Sequence, residues 1–362
     1  MRVALIHDWL TGLRGGEKVL EVLCELYPDA TLFTMVYVPD STSQIIESHP
    51  IRTAFTQKLP AVKSLYRWYL PLYPWAVESL DLDGYDLVIS SSHCAAKGVL
   101  TPPDSTHICY CHTPMRYVWD RFGDYFGNGV TARLLYGPVA HYLRKWDVAS
   151  AARVDHFIAN SRHVAERIQK YYRREAHVIY PPVDTEVYVP AEEEPDDYYL
   201  IVSALVPYKR LELAIDAFNK RNEPLLIVGT GPQEAKLKAR AGTNIRFLGG
   251  LSQQELRPLY QRCQAVLLPG VEDFGIVPVE AQACGRPVVA FAEGGALESV
   301  RDGETGVFFS ESSPEALSDA IDRVSSLRFN RNAVRSWALG FSRQRFKDSV
   351  KTYIDEKLPR PG

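Results

Sequence analysis

A chain of 362 residues, 46% hydrophobic and 23% charged, is long enough to bury two separate cores and has the composition of an ordinary globular protein. Its net charge of −3 and pI near 6.3 supply no bulk attraction to nucleic acid, which argues against that class of partner. There is no apolar run of about 18 residues, so no spanning helix is expected; the N-terminus enters a strand without the charged and apolar regions of a leader, which predicts a cytoplasmic protein.

Residues 2–6 (RVALI) read as a buried first strand, followed by the loop HDWLTGLRGG and a helix from Glu17 with Val19, Val22, Leu23 and Leu26 at helical spacing. Gly15 and Gly16 therefore sit at a helix N-terminus, where bare backbone can close on a phosphate or a sugar; a glycine turn kept only for packing would look the same. A strand is expected at 31–36. Between Lys58 and Trp75, the cations Lys58, Lys63 and Arg67 interleave with Trp68, Tyr69, Leu72, Tyr73 and Trp75, a mixture that suits either a membrane interface or helices covering the sheet. Asp81-Leu82-Asp83 has the look of a metal-binding pair, but it precedes Gly84 and a strand and so reads as a turn. No other cluster of acids and histidines has metal spacing, and no metal dependence is expected.

Strands at 86–90, 107–111, 155–159 and 177–180, with a helix at 161–172, continue an α/β alternation that predicts a doubly wound parallel sheet with its ligand crevice at the carboxyl ends of the strands. The loop after 107–111 carries His112, Arg116, Tyr117 and Trp119. A histidine there can line a sugar pocket beside stacking rings, or be a structural histidine. The six cysteines (Cys24, Cys94, Cys109, Cys111, Cys263, Cys284) form no C-x2-C pair, which predicts buried free thiols rather than a zinc site.

Residues 181–197, rich in proline and acid, separate two α/β patterns. The expected division is 1–190, 191–340 and a terminal segment 341–362 holding an amphipathic helix. Strands are expected at 198–202, 225–228, 244–248, 265–268 and 287–291, and Ser252 with Glu255 makes a capping box. Lys209 and Arg210 lie on the loop after 198–202, within reach of a phosphate, although exposed basic residues are often merely solvated. In residues 265–299 a short apolar strand leads through the acidic loop Glu272-Asp273-Phe274-Gly275 into a helix whose first N–H groups and positive dipole end favour an anion. Glu272 and Glu280, with seven residues between them, flank that helix start. Glu280 can accept hydrogen bonds from vicinal hydroxyls if it is reachable rather than packed inside; otherwise it only complements the dipole.

The stretch EDFGIVPVEAQACGRPVVA resembles the E-x7-E region of family 4 of the retaining GT-B glycosyltransferases, and with CHTPMRYVWD it is similar to a mannosyltransferase branch of surface-polysaccharide synthesis. The resemblance covers nearly the whole chain. It implies two Rossmann-like domains facing across a cleft, with the terminal helix crossing back to the first. By resemblance Glu280 holds a ribose, Gly275 and the amides of Ile276 and Val277 with Phe274 alongside hold a diphosphate, and Glu272 contacts the donor sugar. His112 lies by that sugar, Gly15 and Gly16 abut phosphate and acceptor, and backbone near Leu248 meets the base. Lys209 serves the diphosphate, and Arg210 or Arg116 stands in for a family arginine at the position of Ser203. Arg116 and Tyr117 face the acceptor.

The implied activity is transfer of mannose from GDP-mannose to a hydroxyl of a lipid-linked glycan, catalysed by Glu272, His112 and Lys209 without cofactor or metal. Residues 58–75 would touch the inner face of the cytoplasmic membrane. A UDP-hexose transferase would share every motif, and Ser203 leaves open a binder of nucleotide sugars without turnover.

Overall fold

Every residue of β1 (Val3–His7) is buried, so the strand has no solvent face and needs cover on both sides. The computed structural model describes residues 1–358 apart from 121, 124–126 and 128. In it, β1 lies in a seven-stranded parallel sheet with β2 (Thr31–Thr34), β3 (Ile51–Thr53), β4 (Leu87–Ser92), β5 (Thr106–Cys111), β6 (His156–Ala159) and β7 (Ala176–Val178), in the order β3-β2-β1-β4-β5-β6-β7. One face of β1 sends Ala4 and Ile6 into a cluster with Val62, Tyr66, Leu70, Tyr73 and Val77. The other sends Val3 and Leu5 against the helix Gly15–Leu26 and against Phe346, Val350 and Ile354 of the terminal helix Arg343–Lys357.

The chain divides into two compact units, residues 1–182 with 346–362, and residues 183–345. The terminal helix is thus part of the first unit's core. The residues 183–190, before the proline-rich and acidic stretch ends, belong to the second unit; Val183 N–H donates to Phe341 O at 2.9 Å.

A six-stranded parallel sheet fills the second unit: β8 (Tyr199–Val202), β9 (Leu225–Val228), β10 (Ile245–Gly249), β11 (Val266–Leu268), β12 (Val288–Phe291) and β13 (Gly306–Phe309), ordered β10-β9-β8-β11-β12-β13. Both sheets are therefore Rossmann-like α/β layers, and in each the strand order reverses at one place: between β1 and β4, and between β8 and β11. Ligands of such sheets bind beyond the carboxyl ends of the strands at that switch.

Two strands are not anticipated by the sequence. β3 is a three-residue edge strand with Arg52 and Thr53 exposed, too short for a period to register, and β13 closes the other sheet's edge. Residues 58–75 form short helical turns that do two things at once. Val62, Tyr66, Leu70 and Tyr73 pack onto the sheet, while Trp68 and Trp75 point outward. Asp81 accepts the Asp83 N–H at 3.1 Å ahead of Gly84 (φ 75°), the turn that the spacing suggests. All six cysteines are buried and unbridged. Among the described residues no helix is long and apolar enough to cross a membrane, and no group of three or more His, Cys, Asp or Glu is placed to hold a metal.

Candidate functional site

In the second unit the switch point is built from three loops. The loop after β8 carries Lys209 and Arg210, the loop after β11 runs from Pro269 to Gly275, and the loop after β12 contains Gly294 and Gly295. They fit together only because glycine is at the contacts. A Cβ on Gly270 would lie 2.7 Å from Lys209 Cα, and one on Gly295 would run into the backbone of Asp273 and Phe274. The Gly295 N–H instead donates to Glu272 O at 2.9 Å. The acidic loop is thereby held from both sides.

That clamping brings Lys209 Nζ onto Glu272 Oε1, both side chains partly buried, as a tight ion pair across 63 residues of sequence. Gly275 follows with φ 84°, a left-handed backbone that costs glycine little, and the helix Ile276–Ala283 begins there. Ile276 and Val277 are partly exposed at its first turn, where N–H groups have no partner within the helix. A cation, a carboxylate and a helix N-terminus therefore converge at the carboxyl end of β11.

The remaining residues singled out in this unit are placed differently. Phe274 is buried with its ring 5.5 Å from that of Phe341, so only its backbone is available to a ligand. Arg210, itself in a left-handed conformation (φ 53°), stacks 4.8 Å over Phe291 and donates to Ser312 Oγ at 3.3 Å rather than joining Lys209. Leu248, partly buried in β10, lies at the rim of the sheet. Ser203 turns its hydroxyl to Ala204 O at 3.2 Å. Glu280 departs most from expectation. It is 4% exposed, and its Oε2 accepts the hydroxyl of the buried Tyr260 at 2.8 Å. The spacing puts Glu280 one turn into the helix, but the carboxylate is turned into the packing beside the helix Gln253–Arg262 instead of standing open for a ribose.

At the switch point of the first unit lies a network wider than the two glycines and the histidine that the sequence singles out. Asp8, just past β1, is fully buried and accepts four backbone N–H groups, from His93 (2.7 Å), Cys94 (3.0 Å), Ala95 (2.6 Å) and Ala96 (2.7 Å). Its Oδ2 also lies 3.0 Å from His93 Nδ1. Burial opposes ionisation of Asp8, but the charge and hydrogen bonds of His93 hold its carboxyl well below the usual range. For His93 the same pairing outweighs burial, and its pKa is raised.

Next to this dyad, Ser91 Oγ lies 3.1 Å from His7 Nδ1 and 2.8 Å from His112 Nε2. Burial, followed by the neighbouring His93 and His7, pushes His112 down to about 3, so it is a neutral imidazole. Gly16 sits over both rings: a Cβ there would be 3.6 Å from His7 Cε1 and 3.7 Å from His112 Nε2, in van der Waals contact with each. The buried Glu17 accepts the Arg14 N–H at 3.0 Å and fixes the turn through Gly15. The structure thus gathers Gly16 and His112 with His7, Asp8, Ser91 and His93, which no local pattern connects. The nearest sequence signal is the pair His7-Asp8 at the end of a buried strand.

The loop after His112 is pinned from behind. Arg167 Nη1 donates to Thr113 Oγ1 and Nη2 to Asp120 Oδ1, each at 2.7 Å. Trp119 stacks on Tyr171 and donates to Asp147 at 2.7 Å, which fixes its ring behind the loop. Arg116 is partly buried, and Tyr117 lines a cavity with Trp9 and Tyr73.

Residues 13–187 match the family described as Glycosyltransferase Family 4, and residues 184–338 match that described as Glycosyl transferases group 1. Over 172 residues the chain is 30% identical to an uncharacterized glycosyltransferase of Methanocaldococcus jannaschii, covering 46% of this chain and 48% of the relative. Over 169 residues it is 32% identical to the D-inositol 3-phosphate glycosyltransferase of Mycobacterium tuberculosis, covering 41% and 35%. These alignments span half or less of each relative's length. In three dimensions the chain resembles Anabaena HepE in complex with UDP and glucose (TM-score 0.70, 18% identity, 97% of this chain and 99% of that one). It also resembles sucrose-phosphate synthase of Thermosynechococcus elongatus (TM-score 0.73, 17% identity, 98% and 99%). At such identities the likeness is one of fold.

Proposed function

We propose that the chain is a family 4 glycosyltransferase with the two Rossmann-like units of GT-B enzymes, and that it transfers mannose from GDP-mannose to a hydroxyl of a lipid-linked glycan, without a metal. The observation that carries this reading is the Lys209–Glu272 pair beside the start of the helix Ile276–Ala283. A nucleotide sugar is a diphosphate joined to a polyhydroxyl ring, and this corner offers a cation and helix amides to the first part and a carboxylate to the second. Binding would separate the pair, Lys209 turning to the diphosphate and Glu272 to the sugar hydroxyls.

In the transfer, the bond from the anomeric carbon to the diphosphate oxygen breaks and its electron pair leaves with the nucleotide. Lys209 and the amides at Ile276 and Val277 offset that negative charge, the role a metal would otherwise fill. Glu272 favours the positive charge left on the sugar. The acceptor oxygen attacks the same face, and its proton passes to the departing phosphate, which gives retention. In the first unit, neutral His112 is suited to hydrogen-bonding a sugar hydroxyl. The site of action under this reading is the inner face of the cytoplasmic membrane.

Two observations favour alternatives to parts of it. The Anabaena relative binds UDP and glucose, which favours a UDP-hexose donor. Ser203, which offers a hydroxyl and no charge, favours a nucleotide-sugar binder without turnover. Thermal stabilisation by a panel of nucleotide sugars separates the donors: GDP-mannose is expected to raise the unfolding midpoint, and stabilisation by UDP-sugars alone overturns the mannose assignment. Glu272→Gln is expected to cut turnover by about 100-fold or more while GDP still binds, on the scale seen when a group acting on developing charge is removed. A wild-type protein that binds GDP but leaves GDP-mannose intact with every acceptor is a binder.

A further inference from the structure

We propose that a cavity of about 240 Å³ in the first unit receives the apolar end of the acceptor, a phosphate-headed lipid, and that this end enters past Trp68 and Arg67. The proposal rests on the lipid-linked acceptor of the preceding reading and gives that acceptor a place. The cavity walls are Trp9, Leu70, Tyr73 and Tyr117, rings and an aliphatic chain with little to hydrogen-bond, while the exposed Arg67 and Trp68 stand at its edge. Its volume is below the range of about 300–1,000 Å³ usual for a whole small-molecule ligand, so it fits one end of a longer molecule.

The surroundings show where the rest would lie. Tyr136 also lines the cavity, which joins residues 58–75 to the start of the helix Val130–Ala151. The two segments also expose large apolar side chains: Trp68 is 68% exposed, Trp75 67%, Leu134 74% and Leu135 68%. The first segment is also positive. From residue 48 to residue 77 there is no acidic residue, and Arg52, Lys58, Lys63 and Arg67 are all exposed, in a chain whose overall charge is negative. Exposed indoles among cations complement a chain that carries an anion, and suit the boundary between acyl chains and headgroups.

The cavity shares a wall with the switch-point network. Trp9 follows Asp8 directly and stands edge-on to His93, ring centroids 4.6 Å apart at 90°. One residue therefore forms a wall of the cavity and a neighbour of the switch-point histidines. A lipid phosphate held by Arg67 would have its apolar chain in the cavity, against Trp9, and its glycan outside the mouth.

The test is calorimetric titration of the full-length protein with farnesyl phosphate, with farnesol, inorganic phosphate and phosphatidylglycerol vesicles as comparison arms. Saturable one-to-one binding of farnesyl phosphate is expected, with farnesol weaker and phosphate silent. Trp68→Ala and Arg67→Glu, both at exposed positions that leave the fold intact, should each weaken it by about tenfold or more. Absence of saturable binding, unchanged affinity in both variants, farnesol binding as tightly as its phosphate, or phosphatidylglycerol vesicles displacing farnesyl phosphate equally well overturns the proposal. Thermal stabilisation of the wild type by GDP-mannose is recorded in parallel. If it persists while farnesyl phosphate fails, only the cavity assignment falls; if it is lost while farnesyl phosphate binds, the donor reading falls and the cavity stands.

Discussion

Asp8 shows how much one side chain can organise. Its two oxygens take up four consecutive backbone N–H groups and a histidine, so no neutral replacement can serve them all. In Asp8→Asn one oxygen becomes an NH2 facing N–H donors, and the first unit should lose about 3 kcal/mol or more, read from denaturant unfolding. Protonation gives a second prediction with a definite sign. Burial pushes His107 down to about 4 and, with its neighbours, His112 to about 3, against an ordinary value of 6.5. Between pH 6.5 and about 4 the unfolded chain therefore binds protons that the folded protein refuses, and stability falls as pH drops, by up to about 1.4 kcal/mol per pH unit for each ring. Neither partner of the dyad reverses this. The raised His93 contributes stability that is fully present below 6.5 and is lost only as pH rises through its folded value, and the depressed Asp8 keeps its contribution until the pH drops below its ordinary 3.8. Denaturation midpoints measured from pH 7 to pH 4.5 should decline, and His107→Gln should flatten the decline.

Among the elements, the acidic loop from Val271 to Gly275 has its course set by its neighbours. Gly295 touches the backbone of Asp273 and Phe274 so closely that any side chain displaces the loop, and with it the Lys209–Glu272 pair. Gly295→Ala should cost about 1–3 kcal/mol, the usual range for overpacking, and should weaken GDP binding in the same step. A stability loss with unchanged GDP affinity would separate this loop from the nucleotide. The helix that follows was only half legible. Its start, at Gly275, follows from the glycine and from the proline in its first turn. The direction of Glu280 does not, because Tyr260 comes from a different helix and competes for the carboxylate with any ligand.

For the molecule as a whole, the last helix belongs to the core that holds the first strand. Phe346, Val350, Tyr353 and Ile354 are buried with Val3, Leu5 and Ile89. At about 1.5–3 kcal/mol for each buried side chain, ending the chain before Phe346 removes an amount comparable with the whole stability of about 5–15 kcal/mol typical of a domain. Hydrogen exchange should then show β1 and β4 unprotected while β8 and β11 keep their protection; equal loss in both sheets would mean that the units do not fold separately. What the amino-acid order determined by itself were features decided within a few residues: central strands apolar enough to be covered on both faces, helix starts marked by Ser252 and Gly275, the turn at Asp81, and two α/β patterns either side of a proline-rich break. Tertiary structure alone decided which distant groups meet. Asp8 finds His93 because β1 and β4 are neighbours at the switch of the sheet, Lys209 finds Glu272 because β8 and β11 are, and Glu280 turns inward because a tyrosine is there to receive it. Periodicity and capping act over one or two turns of chain, whereas these pairings act through space between strands whose adjacency no local pattern encodes.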